Sequence, residues 1–396
     1  MPIARAHLHA RRAKPFYARH PWVYAGAIAS VEGTPADGDE VDVFSHGGQF
    51  IARGLYNSNS RICVRLYSWT ADEPLDASFF RQQLEAAIRL RHDVLQLGGP
   101  GKACRLVFSE GDGLSGMTLD QYDDWLVMQF TALGLALRRE MLAEILQELL
   151  SPAGIYLRTE RGIGKLEGLD LQDGALRGTT PSTPPIIDED GISFLIDLAG
   201  GQKTGFYLDQ RENRRLVARY AAGRRMLDAF CYTGGFGLHA AHAGAAEVVG
   251  VDVSGPGLAL ARQNAARNGL SNIRFEEADV FDYLESAVRA GQRYDLIVLD
   301  PPKFARAQRA VDDALRGYRR LQALALMLLA PEGILATCCC SGLITMTMLE
   351  ELLAQVAADA RRPVQILART YQPADHPVAV ACLESSYLKC LVTRAG

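Results

Sequence analysis

At 396 residues, 48% apolar and 22% charged, the chain has the composition of a soluble globular enzyme of two or three domains. Its longest apolar segment, around Leu321 to Ala330, is too short to cross a bilayer. No apolar signal core follows the Arg-rich start, and 8 cysteines without paired CxxC spacing speak against a disulfide framework and against a metal site. The expected compartment is a reducing cytoplasm, and with a net charge of -4 any contact with nucleic acid must rest on local patches.

The N-terminal stretch carries Arg5, Arg11, Arg12, Lys14 and Arg19 with no acid among them, interleaved with Phe16, Tyr17 and Trp22. As structure alone it is a solvated basic arm; as a surface it offers cations to phosphates and rings to bases. Alternating segments at Gln49–Leu55 and Arg61–Tyr67, broken by Gly47-Gly48 and Asn57-Ser58-Asn59, predict a small β-rich module over residues 1–72. Within it, His20-Pro-Trp-Val-Tyr-Ala-Gly-Ala-Ile28, the Gly47-Gly48 turn and Gly54-Leu-Tyr-Asn57 resemble a PUA domain, a compact RNA-binding β fold. Residues 73–185 read as a small α+β domain, a spacer or substrate cradle. Phe80, Leu84, Ala87, Ile88, Arg91 and Leu95 fall at helical spacing, and strands at 106–108, 125–130 and 155–158 surround a helix from Leu135 to Leu150.

Over residues 186–396 strands alternate with helices. Strands are expected at Arg225–Phe230, Val248–Val253, Ile273–Ala278, Leu296–Leu299, Gly333–Cys339 and Val364–Ala368, with a last one at Tyr387–Val392 antiparallel to its neighbour. That is the pattern of a Rossmann-like α/β sheet, parallel and covered on both faces. The first strand runs into Asp228-Ala-Phe-Cys-Tyr232-Thr233-Gly234-Gly235-Phe-Gly237 and then a helix. Its glycines allow close approach of backbone to a ligand, and the helix start offers free N–H groups. The loop lacks the Gly-x-Gly-x-x-Gly of a nicotinamide enzyme. Asp252 ends the second strand, where an acid takes both hydroxyls of a ribose, and Asp279 ends the third, where it can hold an adenine amino group. Asp300 ends the fourth, followed by Pro301 and Pro302, which can neither extend a ladder nor enter a helix interior.

Loop, ribose acid, adenine acid and Asp-Pro-Pro, in that order, resemble a class I S-adenosylmethionine methyltransferase. The resemblance implies a cofactor held by Asp228, Tyr232, Thr233, Gly234, Gly235, Asp252, Asp279 and Pro301. Upstream, Gly201–Arg211 is either a plain turn and helix start or a flap. As a flap, Phe206 and Tyr207 cover the cofactor and Lys203 lies near its carboxylate or the RNA.

The fifth strand ends Cys338-Cys-Cys340-Ser-Gly342, and alternation puts Cys338 and Cys340 on one face, Cys339 on the other. Cys338 and Cys339 read as small hydrophobes, and Cys340, at the strand exit, as the accessible thiol. A thiol beside Asp300 suits one methyl transfer in particular. Addition of a thiolate to C6 of cytosine turns C5 into an enamine carbon able to attack a sulfonium methyl, with Asp300 stabilising charge around N3 and N4. The base must be single-stranded or flipped.

Gly111-Asp-Gly-Leu, Gln202-Lys-Thr-Gly-Phe-Tyr-Leu-Asp-Gln-Arg211, Phe230-Cys-Tyr-Thr-Gly-Gly-Phe236, Asp300-Pro-Pro-Lys-Phe304, Cys340-Ser-Gly and Ala374-Asp-His-Pro377 extend the likeness over the whole chain. Together they resemble the bacterial ribosomal large-subunit methyltransferase I family, which methylates C5 of a 23S rRNA cytosine. The resemblance implies S-adenosylmethionine as cofactor, 23S rRNA or a large-subunit particle as partner, no membrane, and Cys340 as nucleophile; a homodimer is left open. The chain has Cys339 where that family has Ser, and Lys303 where other RNA cytosine-5 methyltransferases carry a second Cys for product release. Two other readings stand beside it. One is an amino-nitrogen methyltransferase, for which Phe304 comes one residue late after the prolines; the other is an RNA-binding assembly factor without catalysis.

Overall fold

The computed structural model describes residues 3–159, 164–305 and 307–396. The chain packs into two compact units. The first comprises Met1–Ile187, Ile196–Leu208 and Ala374–Ser385; the second comprises Asp188–Leu195, Asp209–Pro373 and Ser386–Gly396. Among the described residues no helix is long and apolar enough to cross a membrane.

The first unit holds two sheets. Strands β1 (Ala4–Leu8), β2 (Trp22–Tyr24), β3 (Ile28–Glu32), β4 (Glu40–Phe44), β5 (Phe50–Tyr56) and β6 (Ile62–Ser68) form one, in the order β2-β6-β5-β4-β1-β3. The basic arm expected at the N-terminus is in part an inner strand of this sheet. β1 pairs with β4 and β3, its Ala6 and Leu8 are wholly buried, and the Arg5 guanidinium lies over the ring of Phe44 at 5.4 Å. A period of two ran through Arg5 to Leu8, but the density of arginines obscured it.

The second sheet orders β7 (Ala103–Phe108), β8 (Met117–Tyr122), β9 (Trp125–Phe130), β10 (Gly154–Arg158) and β11 (Gly174–Gly178) as β11-β10-β9-β8-β7. β8 is absent from the strands expected from sequence because Thr118, Asp120 and Gln121 make it look like a loop. In the sheet Asp120 stands opposite Arg105 and accepts from its Nε and Nη2, each at 2.7 Å, so a charge is buried only because it is paired. The helix expected from Leu135 to Leu150 is interrupted at Arg138, leaving Leu133–Ala136 and Arg139–Leu150.

After a hairpin of β12 (Ile186–Glu189) and β13 (Ile192–Leu195), the second unit is built on one sheet. Its strands are β14 (Arg225–Ala229), β15 (Glu247–Asp252), β16 (Ile273–Glu277), β17 (Tyr294–Leu299), β18 (Leu329–Cys339), β19 (Val364–Tyr371) and β20 (Lys389–Ala395), ordered β16-β15-β14-β17-β18-β20-β19. β20 runs antiparallel between β18 and β19, and the other pairs are parallel. β17 explains its own apolar run. Leu296 and Val298 enter a core with Met226, Val248 and Ala336, while Ile297 and Leu299 enter the opposite one with Leu227, Val249 and Leu321. The chain moves outward from β14 to β16 and then returns to β17 on β14's other side. That reversal is the switch point where open α/β sheets bind ligands, beyond the carboxyl ends of the strands.

Candidate active site

Asp228 sits at the end of β14, 1% exposed. Its Oδ2 accepts the amide of Gly237 at 2.7 Å, while Oδ1 is buried without a hydrogen-bond partner. Burial pushes this carboxyl up to about 8; the negative charges of Asp300 and Asp252 push the same way, and the Gly237 amide and Arg214 only partly offset them. The loop that follows is held under strain: Phe230 and Tyr232 have φ of 65° and 48°. Three bonds to β15 fix it. The amides of Phe230 and Cys231 donate to the carbonyl of Val251 at 2.9 and 3.1 Å, and that of Tyr232 to Asp252 Oδ2 at 2.9 Å. Gly234 takes φ 82° and precedes the helix Gly235–His242. Gly237 is glycine for an internal reason, since a Cβ there would lie 3.1 Å from Asp228 Oδ2. Thr233 is buried beside them.

Asp252 ends β15, with its second oxygen accepting the amide of Ser254 at 2.8 Å. Asp279 is exposed and caps the helix Val280–Arg289, its Oδ1 accepting the amides of Phe281 and Asp282 at 2.8 and 3.2 Å. Lys203, Phe206 and Tyr207 belong to the first unit. There Phe206 is buried, the Lys203 ammonium lies 4.4 Å from the centre of the Tyr207 ring, and the Tyr207 hydroxyl donates to Gln202 at 2.6 Å.

The second unit brings Asp300 and the cysteine run together. β17 and β18 pair in parallel up to Leu299 and Thr337, so Asp300 and Cys340 leave neighbouring strands at the same end of the sheet. The Asp300 amide donates to Ala229 at 3.3 Å, and Pro301 behind it is buried. Cys338 and Cys339 are wholly buried, and Cys340, one residue beyond the strand, is half-buried. Cys339 joins a small core with Ala305, Tyr318 and Ile344. The two exit loops are stitched together: the Ser341 hydroxyl donates to the carbonyl of Ala305 at 3.0 Å. Lys389, 4% exposed, donates to the carbonyls of Ser341 and Tyr387.

Sequence reasoning missed the groups that support these residues. Gln210, 2% exposed, donates from Nε2 to Asp300 Oδ2 at 3.0 Å. Beneath the glycine loop Glu189 accepts from Arg214 at 2.7 and 2.8 Å, with Arg211 at 3.5 Å and His239 at 3.3 Å. Burial works against ionising Glu189, but Arg214, His239 and Arg211 outweigh it and hold its carboxyl at about 2. The signal was there in Gln210-Arg-Glu-Asn213-Arg214, whose polar residues recur at helical spacing, but nothing in the linear order shows that they are buried and paired.

Elsewhere, His20, Cys382 and Glu384 of the first unit bring metal-ligating atoms within 4.8 Å of one another. The Nδ1 of His20 already accepts the amide of Trp22 at 3.3 Å, and its Nε2 lies 3.5 Å from a carboxylate oxygen of Glu384.

Comparison with known proteins gives consistent matches to both ends of the chain. Residues 6–69 match the family model of a PUA-like domain, and residues 175–391 that of an S-adenosylmethionine-dependent methyltransferase. The chain is 44% identical to the ribosomal RNA large subunit methyltransferase I of Tolumonas auensis, covering 98% of each chain. It is 42% identical to that of Aeromonas salmonicida, covering 97% of each. Among solved structures it is similar to SMU.776, described as a methyltransferase and crystallised with SAH. The TM-score is 0.85 at 22% identity, over 98% of this chain and 99% of that one, which speaks for a shared fold.

Proposed function

Because the chain belongs to the ribosomal RNA large subunit methyltransferase I family of S-adenosylmethionine-dependent enzymes, we propose that it methylates C5 of a cytosine in 23S rRNA through a thiol adduct. The residues fit the cofactor. Asp228 keeps a buried carboxylate oxygen without a protein partner, and the oxygens of Asp252 each accept one amide and retain lone pairs. Asp228 and Asp252 would hold its cationic and ribose portions, with Tyr232, Thr233, Gly234, Gly235, Asp279 and Pro301 around them. When bound, the cofactor supplies an electrophilic methyl group.

The chain's own residues supply the rest. The Cys340 thiolate adds to C6 of the flipped cytosine, forming a C–S bond as the C5=C6 π bond opens and charge moves through C4 to N3; Asp300, entering as the carboxylic acid, gives N3 its proton and accepts from the N4 amino group. C5, now enamine-like, is the atom that would take the methyl the bound cofactor supplies. A base then removes the C5 proton, the C6–S bond breaks, the thiolate departs with its electron pair, and N3 returns its proton to Asp300. What supports this reading is the exit of Asp300 and Cys340 from neighbouring parallel strands, with the Ser341–Ala305 bond joining their loops. The amino-nitrogen alternative wants an aromatic directly after the prolines. Lys303 stands there, and the Phe304 ring packs on Tyr318 at 5.2 Å.

The reading keeps residues 1–72 as an RNA-contacting module, 73–185 as a spacer or cradle and 186–396 as the methyltransferase domain, acting in the cytoplasm. The test is RNA carrying 5-fluorocytosine, which cannot release a C5 proton. It should trap an adduct at Cys340, and Cys340→Ala should bind S-adenosylmethionine yet transfer no methyl. Full activity of that variant, or an adduct on another cysteine, would overturn the mechanism.

A further inference from the structure

Lys389 opens β20, and its charge is kept from water. It is 4% exposed, and its ammonium donates to the backbone carbonyls of Ser341 and Tyr387, the second at 2.7 Å. Among the described residues no carboxylate forms an ion pair with it. An ammonium has three N–H groups, and the two carbonyls take two of them. A buried charge is costly, and carbonyls can be satisfied by neutral donors. A full charge gains over a neutral amide here only when an anion forms beside it.

The ladder shows where that anion can form. Lys389 stands opposite Cys339, and its side chain runs past the end of β18 to Ser341, so Cys340 lies in the short backbone segment that it spans. Burial pulls the ammonium down from its ordinary value, the charges that Cys339 and Cys340 can take push it back up, and Lys303 pulls it down again. Cys339 is wholly buried among Ala305, Tyr318 and Ile344. Cys340 is half-buried, and of the two it is the thiol with solvent at hand to take its proton.

We propose that Lys389 is a positioning residue for methyl transfer, the counter-cation that holds Cys340 as a thiolate. The inference rests on the thiol-adduct reading above. The thiol's proton goes to solvent and Lys389 keeps its own. As the thiolate adds to C6 its charge passes to the ring. As the C6–S bond breaks the charge returns to sulfur, where the ammonium stabilises the departing group. The other titratable groups around thiol and ammonium are Cys339 on β18, Tyr318 on the helix Val311–Leu328, Asp300 just beyond β17 and Lys303 in the loop that follows it. The variants below leave all of them in place.

The test compares the intact wild-type protein with Lys389→Gln, which removes the charge but keeps an N–H donor, and Lys389→Arg, which keeps both. Iodoacetamide alkylation of Cys340 is followed from pH 5 to 10 and located by fragment-ion mapping, with thermal unfolding and S-adenosylmethionine affinity measured alongside. In the wild type the alkylation midpoint should lie below that of an unperturbed thiol, about 8.5. In Lys389→Gln it should rise by about one pH unit, and in Lys389→Arg it should stay within about 0.3 of wild type. Single-turnover methylation by Lys389→Gln should be about tenfold slower at pH 7 and recover toward wild type by pH 9.5, because the thiolate then forms without help. Cofactor affinity should stay within about twofold. A lysine that only ties two carbonyls together would lower thermal stability and slow the reaction equally at every pH. An unmoved midpoint in folded Lys389→Gln therefore overturns the proposal, and so does a wild-type midpoint at or above the ordinary thiol value, whatever the variant's stability. Wild-type protein with a lowered midpoint that forms no Cys340 adduct with 5-fluorocytosine RNA overturns the thiol-adduct reading itself. An adduct with an unmoved midpoint removes only the role of Lys389.

Discussion

The Ser341 hydroxyl donates to the carbonyl of Ala305 at 3.0 Å, and both residues are wholly buried. This one bond joins the loop that follows Asp300 to the loop that carries Cys340, so the spacing of acid and thiol does not depend on the strands alone. Ser341→Ala should cost about 1–3 kcal/mol, because the Ala305 carbonyl is left buried without this donor. The methyl-transfer rate should fall while cofactor affinity stays put. Urea unfolding and single-turnover kinetics on the same samples separate the two effects.

Cys339 and Cys340 are adjacent in sequence and differ in setting. Cys339 packs among Ala305, Tyr318 and Ile344 with no exposure, and Cys340 is half-buried past the strand end. Cys339→Ser should retain the 5-fluorocytosine adduct and methyl transfer within about threefold, at a stability cost of roughly 1–2 kcal/mol for a buried hydroxyl. Peptide mapping of the adduct reads the outcome, and loss of the adduct in this variant would move the nucleophile.

Asp228 should make stability depend on pH in a distinctive direction. Burial raises its carboxyl to about 8 from an ordinary 3.8, so between those values the folded chain holds a proton that the unfolded chain has lost. Its contribution to stability is therefore present in acid and is lost as pH rises from about 4 to about 8. Asp228→Asn should be relatively more stable the higher the pH, by on the order of a few kcal/mol at pH 8. A cation brought to this carboxyl by the cofactor would expel its proton. Calorimetry at pH 7 in buffers of different ionisation enthalpy should show proton release in the wild type and none in Asp228→Asn.

Glu189 behaves in the opposite sense. Burial disfavours its charge, but Arg214, His239 and Arg211 overcome that and hold it at about 2, below the ordinary 4.5. Its contribution is complete above pH 4.5 and is lost as pH falls toward 2. Glu189→Gln should destabilise the second unit by roughly 3–5 kcal/mol at neutral pH, since Arg214 is left buried beside a weaker acceptor. Denaturant unfolding at pH 7 and pH 3 checks both the size and its shrinkage in acid.

Much of the second unit could be read from the chain itself. A strand buried on both faces announces itself as an unbroken apolar run, and a parallel sheet needs a helix between strands, so β14 to β18 stand out in sequence. The acids at their ends follow from the same periodicity. β1 and β8 did not stand out, because Arg5 and Asp120 are polar residues whose place in a sheet depends on Phe44 and Arg105, partners on neighbouring strands.

The linear order of residues by itself determined the parallel sheet, the acids at its strand ends and the thiol run beyond β18. It did so because those features follow from local periodicity and from where an apolar run stops. Only the tertiary structure decided which groups hold them: Gln210 on Asp300, Lys389 and Ala305 on Ser341, Glu189 beneath the glycine loop. Those bonds span long stretches of chain, and each partner viewed alone is a polar group, side chain or backbone carbonyl, that solvent would satisfy equally well. Burial removes that alternative, and with it the ambiguity.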